Sequence, residues 1–337
     1  MRFDVFEYMR FAKGIPAGAR LSLTASGLSP APIEWLGDPR GWVDLTEPSG
    51  APNRALRERI AARYGMHPDH VFVTPGASGA IHLVAGVLGG PGTRAAVESP
   101  AYPPLDLEPR FFGGETRRFE RRLEDRFGID PARVSAALGS NATSLWVTTL
   151  HNPSGVALTE KDLTSLAELA SRGDARLVSI ELYLDYLGAS RPRAAAAIAP
   201  GAITIGSMTK AFGLGALRIG WILCSDRELV RRVDEMFDHL DVACATPSLR
   251  AAAAALDGIS RFEQRAVDTS ARGLAVFGEW ATAEEARGRV RAVRPDGGIV
   301  AFPHLEGVKD TVAFARELRA KEGVQVVPGE FFGAPGH

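Results

Sequence analysis

Residues 207–221 read SMTKAFGLGALRIGW, and Lys210 is the residue of this stretch that most needs an explanation. The chain has only five lysines among 337 residues, and this one lies among small and apolar residues. Its nearest charged neighbour in the sequence is Arg218, eight positions later. A lysine in a dry pocket loses the solvation of its ammonium group, so its pKa falls and it can act as an amine nucleophile. The pattern therefore favours a reactive lysine over a solvated surface lysine.

Other local patterns in this stretch are weaker. Residues 213–218, GLGALR, carry the first two glycines of a dinucleotide-binding GxGxxG but have arginine at the third position. Ser207 and Lys210 form S-x-x-K, as in β-lactamase-like acyl transferases, but the companion S-D-N and K-T-G motifs are missing. No GxxxxGK[ST] phosphate-binding loop is present. None of these motifs explains the lysine.

Composition excludes several classes of function. A net charge of −1 gives no support for binding to nucleic acid or to an anionic membrane surface. Cys224 and Cys244 form neither a disulfide framework nor a metal motif, and the histidines include no HExxH pair, so no metal is expected. Charges interrupt the N-terminal residues, and no apolar run reaches the ~18 residues of a membrane span. These features predict a cytoplasmic protein without a signal peptide.

Short apolar strands alternate with helices from residue 54 onward. This order predicts an α/β fold with a mainly parallel sheet covered by helices on both faces. We expect a large domain over residues 46–235, and a smaller α+β domain built from residues 1–45 and 236–337. Ligands of such sheets bind beyond the carboxyl ends of the strands. Five loops follow predicted strands: TPGASG (74–79), SPAY (99–102), HNPSG (151–155), LYLDY (182–186) and SMTK (207–210).

Taken together and in this order, the five loops resemble those of fold-type I enzymes that depend on pyridoxal phosphate (PLP), specifically the class I/II aminotransferases. The resemblance runs from about Arg54 to Trp221, and more loosely to Pro328. It implies that Lys210 forms a Schiff base with the PLP aldehyde. As a free amine, the lysine would then move a proton between the substrate Cα and C4′ of the cofactor.

The resemblance also implies how the rest of the cofactor is held. Its phosphate would be bound by Arg218 and Ser207, and by the start of a helix. Tyr102 would stack on the pyridine ring, while Asn152 and Tyr183 would donate to the phenolic oxygen. The helix start comprises Gly76, Ala77 and Ser78. An amino acid and a 2-keto acid would be the substrates of a homodimer.

One position departs from the family pattern, which reads Asp-x-x-Tyr where this chain has Ile180 and Tyr183. The family aspartate pairs with the pyridine N–H, and isoleucine cannot form that hydrogen bond. Three explanations stand. A β-bulge could turn the adjacent Glu181 towards the ring. The enzyme could run a lyase, cyclase or racemase reaction that needs less electron withdrawal. The chain could also be a catalytically weak, non-enzymatic paralogue.

Two further departures concern the ends of the resemblance. The last arginine is Arg319, and the sequence stops at residues 326–337, VVPGEFFGAPGH, where the family continues into a segment with a carboxylate-binding arginine. We therefore expect a truncated C-terminal end. Residues 42–56, WVDLTEPSGAPNRAL, lack the tyrosine that often reaches the partner's phosphate in the family dimer.

Overall fold

A computed structural model describes residues 4–15 and 18–337. Its strands are β1 (Leu21–Ser22), β2 (Val71–Thr74), β3 (Arg94–Ser99), β4 (Glu115–Glu120), β5 (Ser144–Thr148), β6 (Arg176–Ile180), β7 (Ile203–Ser207), β8 (Gly220–Cys224), β9 (Val290–Arg291), β10 (His304–Leu305) and β11 (Val324–Gln325). Its α-helices are α1 (Glu7–Gly14), α2 (Gly50–Tyr64), α3 (Gly76–Leu88), α4 (Pro104–Phe111), α5 (Pro131–Leu138), α6 (Glu160–Ser171), α7 (Ala195–Ile198), α8 (Arg227–Phe237), α9 (Thr246–Asp257), α10 (Ile259–Ala286) and α11 (Thr311–Glu322).

Seven of these strands form one sheet in the order β2-β8-β7-β6-β5-β3-β4. Neighbouring strands pair in parallel, except that β8 runs antiparallel to both β7 and β2. The prediction of a mainly parallel sheet covered by helices is confirmed. The edge strand β4 was not foreseen, because its sequence ETRRFE is mostly polar and has only Phe119 buried within the protein.

The two faces of the sheet are covered by different helices because alternate side chains of a strand point to opposite sides. Phe72, Ile205 and Ile222 pack in one buried cluster with residues of α3 and α8. Val71 and Leu223 lie one position away and pack with residues of α2 and α9 in another. The strands are therefore buried on both faces, which explains their continuous apolar sequences.

The beginning of the described chain lies against its end. Leu21 and Ser22 of β1 pair in parallel with Val324 and Gln325 of β11. The ring of Tyr8 on α1 lies 5.6 Å from the ring of Phe332. The division into domains at residues 46 and 235 stays a prediction, and α10 also contacts the turn at Leu184–Ser190, which follows β6. No helix in the described part of the chain is long and apolar enough to cross a membrane.

The strands β2, β3, β5, β6 and β7 all end at the same edge of the sheet. The pairing directions require this, because β2 and β7 both run antiparallel to β8 and the others run parallel to β7. The five loops singled out in the sequence follow these five strands. The topology therefore brings Gly76, Tyr102, Asn152, Tyr183 and Lys210 to one edge.

The start of β8 approaches the start of α3 so closely that only glycine fits at position 220. A Cβ on Gly220 would lie 2.6 Å from the carbonyl carbon of Gly76 and 2.8 Å from the amide nitrogen of Ala77. Both of these atoms belong to the backbone, so relief would require the sheet and the helix to separate. We expect Gly220→Ala to lower the free energy of unfolding by about 1–3 kcal/mol, measured by urea denaturation.

Gly273→Ala is the matched control for this substitution. Gly273 lies on the exposed side of α10, and a Cβ there has no neighbour within 4 Å. This change should stabilise the protein by up to about 1 kcal/mol, because alanine favours the helix. Equal effects of the two substitutions would contradict the steric argument.

Candidate active site

Lys210 lies in the turn after β7, and its amine is withdrawn from solvent. Its Nζ donates a hydrogen bond to Ser26 Oγ at an N···O distance of 2.6 Å. Burial lowers the pKa of Lys210; the nearby Tyr8 hydroxyl opposes this shift, and the Arg218 guanidinium adds to it. Lys210 is thus half-buried, and its surroundings shift its pKa in the direction that makes a lysine more nucleophilic.

The main chain around Lys210 is held from two sides. Its carbonyl oxygen accepts hydrogen bonds from the amide of Leu28, at 2.9 Å, and from the hydroxyl of Tyr186, at 3.0 Å. The first bond comes from the N-terminal segment and the second from the loop after β6. The base of the lysine side chain is therefore fixed by two elements that are distant in the sequence.

Arg218 reaches over the turn between β2 and α3. Its backbone adopts the left-handed conformation, with φ 52° and ψ 44°, and its Nη2 donates to the carbonyl oxygen of Pro75 at 3.3 Å. Gly76 lies directly beneath, since a Cβ there would be 2.4 Å from Arg218 Nη2. Its φ of +79° also favours glycine. The Gly-rich turn therefore makes room for the guanidinium.

The N-terminus of α3 and the Arg218 guanidinium both bring positive charge to the turn between β2 and α3. No side chain caps the N-terminus of α3, where the N–H groups of Gly76, Ala77 and Ser78 lack helical acceptors. Among the described residues, Arg218 has no carboxylate partner. A helix N-terminus and an unpaired guanidinium that converge on one turn form a site for an anion such as phosphate.

Two tyrosines predicted for the site, Tyr102 and Tyr183, lie close to each other. Tyr183 is buried, its Oη makes no hydrogen bond of normal geometry to another described residue, and Ser26 lies beside it. Burial raises the pKa of Tyr183 to about 12. Tyr102 is half-buried and packs on the same apolar cluster as Ile180 and Ala77. Burial raises its pKa as well, so both phenols stay protonated and able to donate.

Two residues of the N-terminal segment were missed by the sequence analysis. Tyr8 on α1 lies in edge-to-face contact with Tyr102, at 6.2 Å between ring centroids. Burial raises the pKa of the Tyr8 hydroxyl, while Lys210 lowers it. Ser26 forms the hydrogen bond to Lys210 Nζ described above. Both residues precede the region of family resemblance, and no local motif marks them.

Ser207 and Asn152 lie in the expected loops, but the structure leaves their roles as predictions. The Ser207 hydroxyl lies 2.8 Å from Thr209 Oγ1 and 3.1 Å from the carbonyl oxygen of Ile219, and it accepts from the amide of Thr209. The hydroxyl proton of Ser207 is therefore directed to Thr209 Oγ1 or to the carbonyl oxygen of Ile219. Asn152 is half-buried in the turn after β5 and makes no hydrogen bond to another described residue, so its amide is available to a ligand.

Ile180 and Glu181 point to opposite faces of the sheet. Ile180 pairs with Ile205 in regular register, and both side chains pack in the cluster that includes Ala77. The Glu181 carboxylate instead accepts hydrogen bonds from Ala195 N at 2.9 Å and from Thr204 Oγ1 at 3.1 Å. Thr204 precedes Ile205 on β7 and therefore faces the other side.

The bulge hypothesis for Glu181 is wrong in this structure. The amide of Glu181 continues the regular ladder by donating to Ile205 O at 2.9 Å, so no extra residue rotates the strand. Burial raises the pKa of Glu181 to about 7, and its hydrogen bonds to Ala195 N and Thr204 Oγ1 oppose the shift. The apolar side chain of Ile180 is what faces the side of the sheet where Ala77 and Tyr102 pack.

These residues fit PLP. The uncapped start of α3 with Arg218 matches its phosphate, and the buried Tyr183 hydroxyl without a protein acceptor matches its phenolic oxygen. The amine of Lys210 matches its aldehyde. Within the described ranges, no group of three or more His, Cys, Asp or Glu side chains is arranged to hold a metal ion.

Comparisons with known proteins agree with this assignment. The family model described as aminotransferase class I and II matches residues 40–337. Capreomycidine synthase of Streptomyces vinaceus is 30% identical over 280 residues, which cover 82% of this chain and 71% of the relative. The aspartate/prephenate aminotransferase of Thermus thermophilus is 27% identical over 318 residues, which cover 88% and 78%.

A solved structure shows the same fold at comparable identity. The aspartate aminotransferase from Thermus thermophilus with maleate superimposes with a TM-score of 0.83 at 26% identity, covering 100% of this chain and 91% of that one. The chain therefore belongs to the aminotransferase class I and II family and is a PLP-dependent enzyme that transfers amino groups.

Proposed function

We propose that Lys210 attaches PLP and that the enzyme exchanges an amino group between an amino acid and a 2-keto acid, as a homodimer in the cytoplasm. The proposal rests on the Lys210 amine, whose pKa is lowered by burial. The same edge of the sheet carries the anion site formed by Arg218 and the start of α3, and the protonated Tyr102 and Tyr183. When bound, PLP supplies an aldehyde for attachment and a ring that accepts electrons from the substrate Cα.

Lys210 acts first as the anchor and then as the proton carrier. Lys210 Nζ would hold the aldehyde in the resting enzyme and would be a free amine while substrate is bound. Because burial lowers its pKa, a larger fraction is the neutral amine at physiological pH, and Nζ can take up the proton from the substrate Cα. The two bonds to its carbonyl oxygen keep Nζ near the reacting carbons as the proton moves.

The remaining residues bind and orient. Arg218 and the N–H groups at the start of α3 hold the phosphate, with Ser207 at its side. Tyr183 and Asn152 would donate to the phenolic oxygen, and Tyr102 would stack on the ring. Tyr8 on α1 closes over this region and helps to exclude water.

A second candidate reaction follows from Ile180. Its apolar side chain offers no acceptor to a ring N–H, so the ring is a weaker electron sink than in an enzyme with aspartate there. A lyase, cyclase or racemase reaction makes less demand on the ring. The identity to a relative named as a synthase rather than an aminotransferase supports the same candidate.

Replacement of Lys210 tests the proposed anchor. We expect Lys210→Ala to lose the visible chromophore that borohydride traps on the wild-type protein, and to lose at least about 100-fold in activity, because both anchor and proton carrier are removed. Absorbance before and after borohydride treatment measures the chromophore, and mass analysis of the labelled peptide identifies the residue to which it is attached. Lys161→Ala, at an exposed position on α6, is the control. A trapped chromophore that survives Lys210→Ala would contradict the proposal.

Replacement of Arg218 tests the phosphate cradle. We expect Arg218→Ala to weaken PLP binding by about 10- to 100-fold, because charge-assisted hydrogen bonds to the phosphate are lost. Binding of pyridoxal, which has no phosphate, should change little. Equilibrium titration with both ligands measures the difference, and Arg272→Ala on the exposed side of α10 is the control. An equal loss of affinity for both ligands would argue against phosphate binding by Arg218.

Addition of amino acids without a keto acid separates the two candidate reactions. Transamination converts the bound cofactor to its amino form in one half-reaction, whereas the alternative reactions consume the amino acid without that spectral change. If the ring is weakened by Ile180, Ile180→Asp should accelerate the spectral conversion by at least about tenfold. Ile180→Asn, of similar size but without a carboxylate, is the control. Equal rates for all three proteins would show that Ile180 does not limit the reaction.

A further inference from the structure

Ser26 holds the Lys210 amine through a hydrogen bond that no motif predicts. We propose that Ser26 is a positioning residue that orients Lys210 Nζ and sets how readily this nitrogen gives up its proton. The inference rests on the proposed role of Lys210. Its first support is the N···O distance of 2.6 Å between two side chains 184 residues apart in the sequence.

The backbone fixes the position of Ser26. The amide of Leu28 donates to Lys210 O at 2.9 Å, and the amide of Ala31 donates to Gly213 O at 3.1 Å. Gly27 lies flat against the lysine, since a Cβ there would be 3.3 Å from Thr209 O and 3.4 Å from Lys210 Cδ. The segment that follows Ser26 is therefore bound along the lysine turn, and the hydroxyl is delivered to Nζ by main-chain contacts.

The groups that face Nζ include no carboxylate within the described residues. Tyr8 approaches from α1, and Arg218 approaches from the turn before β8. Tyr183, in the loop after β6, lies beside Ser26. Both phenols stay protonated, and the guanidinium repels a charged amine. Ser26 Oγ is thus the neutral oxygen that accepts the lysine hydrogen bond.

The hydrogen bond between Ser26 and Lys210 determines in which direction Ser26 shifts the protonation of Nζ. A serine hydroxyl can accept from a nitrogen that carries a proton or donate to one that does not, but the bond to a charged N–H is the stronger. Ser26 therefore favours the protonated nitrogen and opposes the effect of burial. Without the hydroxyl, Nζ should lose its proton at a lower pH.

The test is a pH titration of the visible absorption of the purified holoenzyme. In Ser26→Ala we expect the cofactor to stay attached to Lys210, while the titration midpoint falls by about 0.5 to 1 pH unit. Ser26→Thr, which keeps the hydroxyl, should restore the wild-type midpoint. Ser22→Ala removes an exposed hydroxyl from the same N-terminal segment and should leave the midpoint unchanged.

Ser26→Cys keeps the volume of the side chain and weakens the acceptor, so it serves if the alanine variant does not fold. A wild-type midpoint in folded Ser26→Ala or Ser26→Cys would overturn the inference and leave the role of Lys210 intact. The absence of a Lys210-dependent chromophore in the wild-type holoenzyme would instead overturn the proposed function, and this inference with it.

Discussion

The contact between the backbone of β8 and the first turn of α3 determines the geometry of the site. Gly220 approaches Gly76 and Ala77 closely enough to leave no room for a side chain. Because Arg218 lies two residues before β8, this approach carries its guanidinium to the uncapped N-terminus of α3. A cation and a helix N-terminus repel each other unless an anion lies between them. The fold therefore forms a positively charged site that a bound phosphate group would neutralise.

The lysine environment depends on a second long-range contact. The segment from Ser26 to Ala31 lies along the turn that carries Lys210 and withdraws its amine from water. Tyr8 adds an aromatic ring from α1 and contacts Tyr102 on the neighbouring loop. Burial and the nearby Arg218 guanidinium lower the pKa of this nitrogen, while the Tyr8 hydroxyl opposes them. The environment of Lys210 is therefore set by distant parts of the chain and not by the lysine turn alone.

The pleat of β6 separates two residues that are adjacent in the sequence. Ile180 faces the side where Ala77 and Tyr102 pack, and Glu181 accepts hydrogen bonds from Thr204 and Ala195 on the other side. One Oε of Glu181 has no hydrogen-bond partner among the described residues. The shift of its pKa to about 7 shows the cost of burying that carboxylate. The strand thus keeps a carboxylate within one residue of the expected position without supplying it to the ring.

Local patterns in the sequence were enough to predict the parallel sheet and the loops that follow its strands, and they mark Lys210 as the candidate reactive residue, a role that stays a prediction. Strand alternation, glycine turns and an isolated lysine are properties of neighbouring residues, and they can be read without knowing the partners. The edge strand β4 was not predicted, because its polar sequence is typical of solvent-exposed segments. Only the tertiary structure decided that Ser26 and Tyr8 reach Lys210 and that Glu181 turns away from it. Contacts across more than 180 residues and the absence of a bulge depend on packing, which no local sequence pattern encodes.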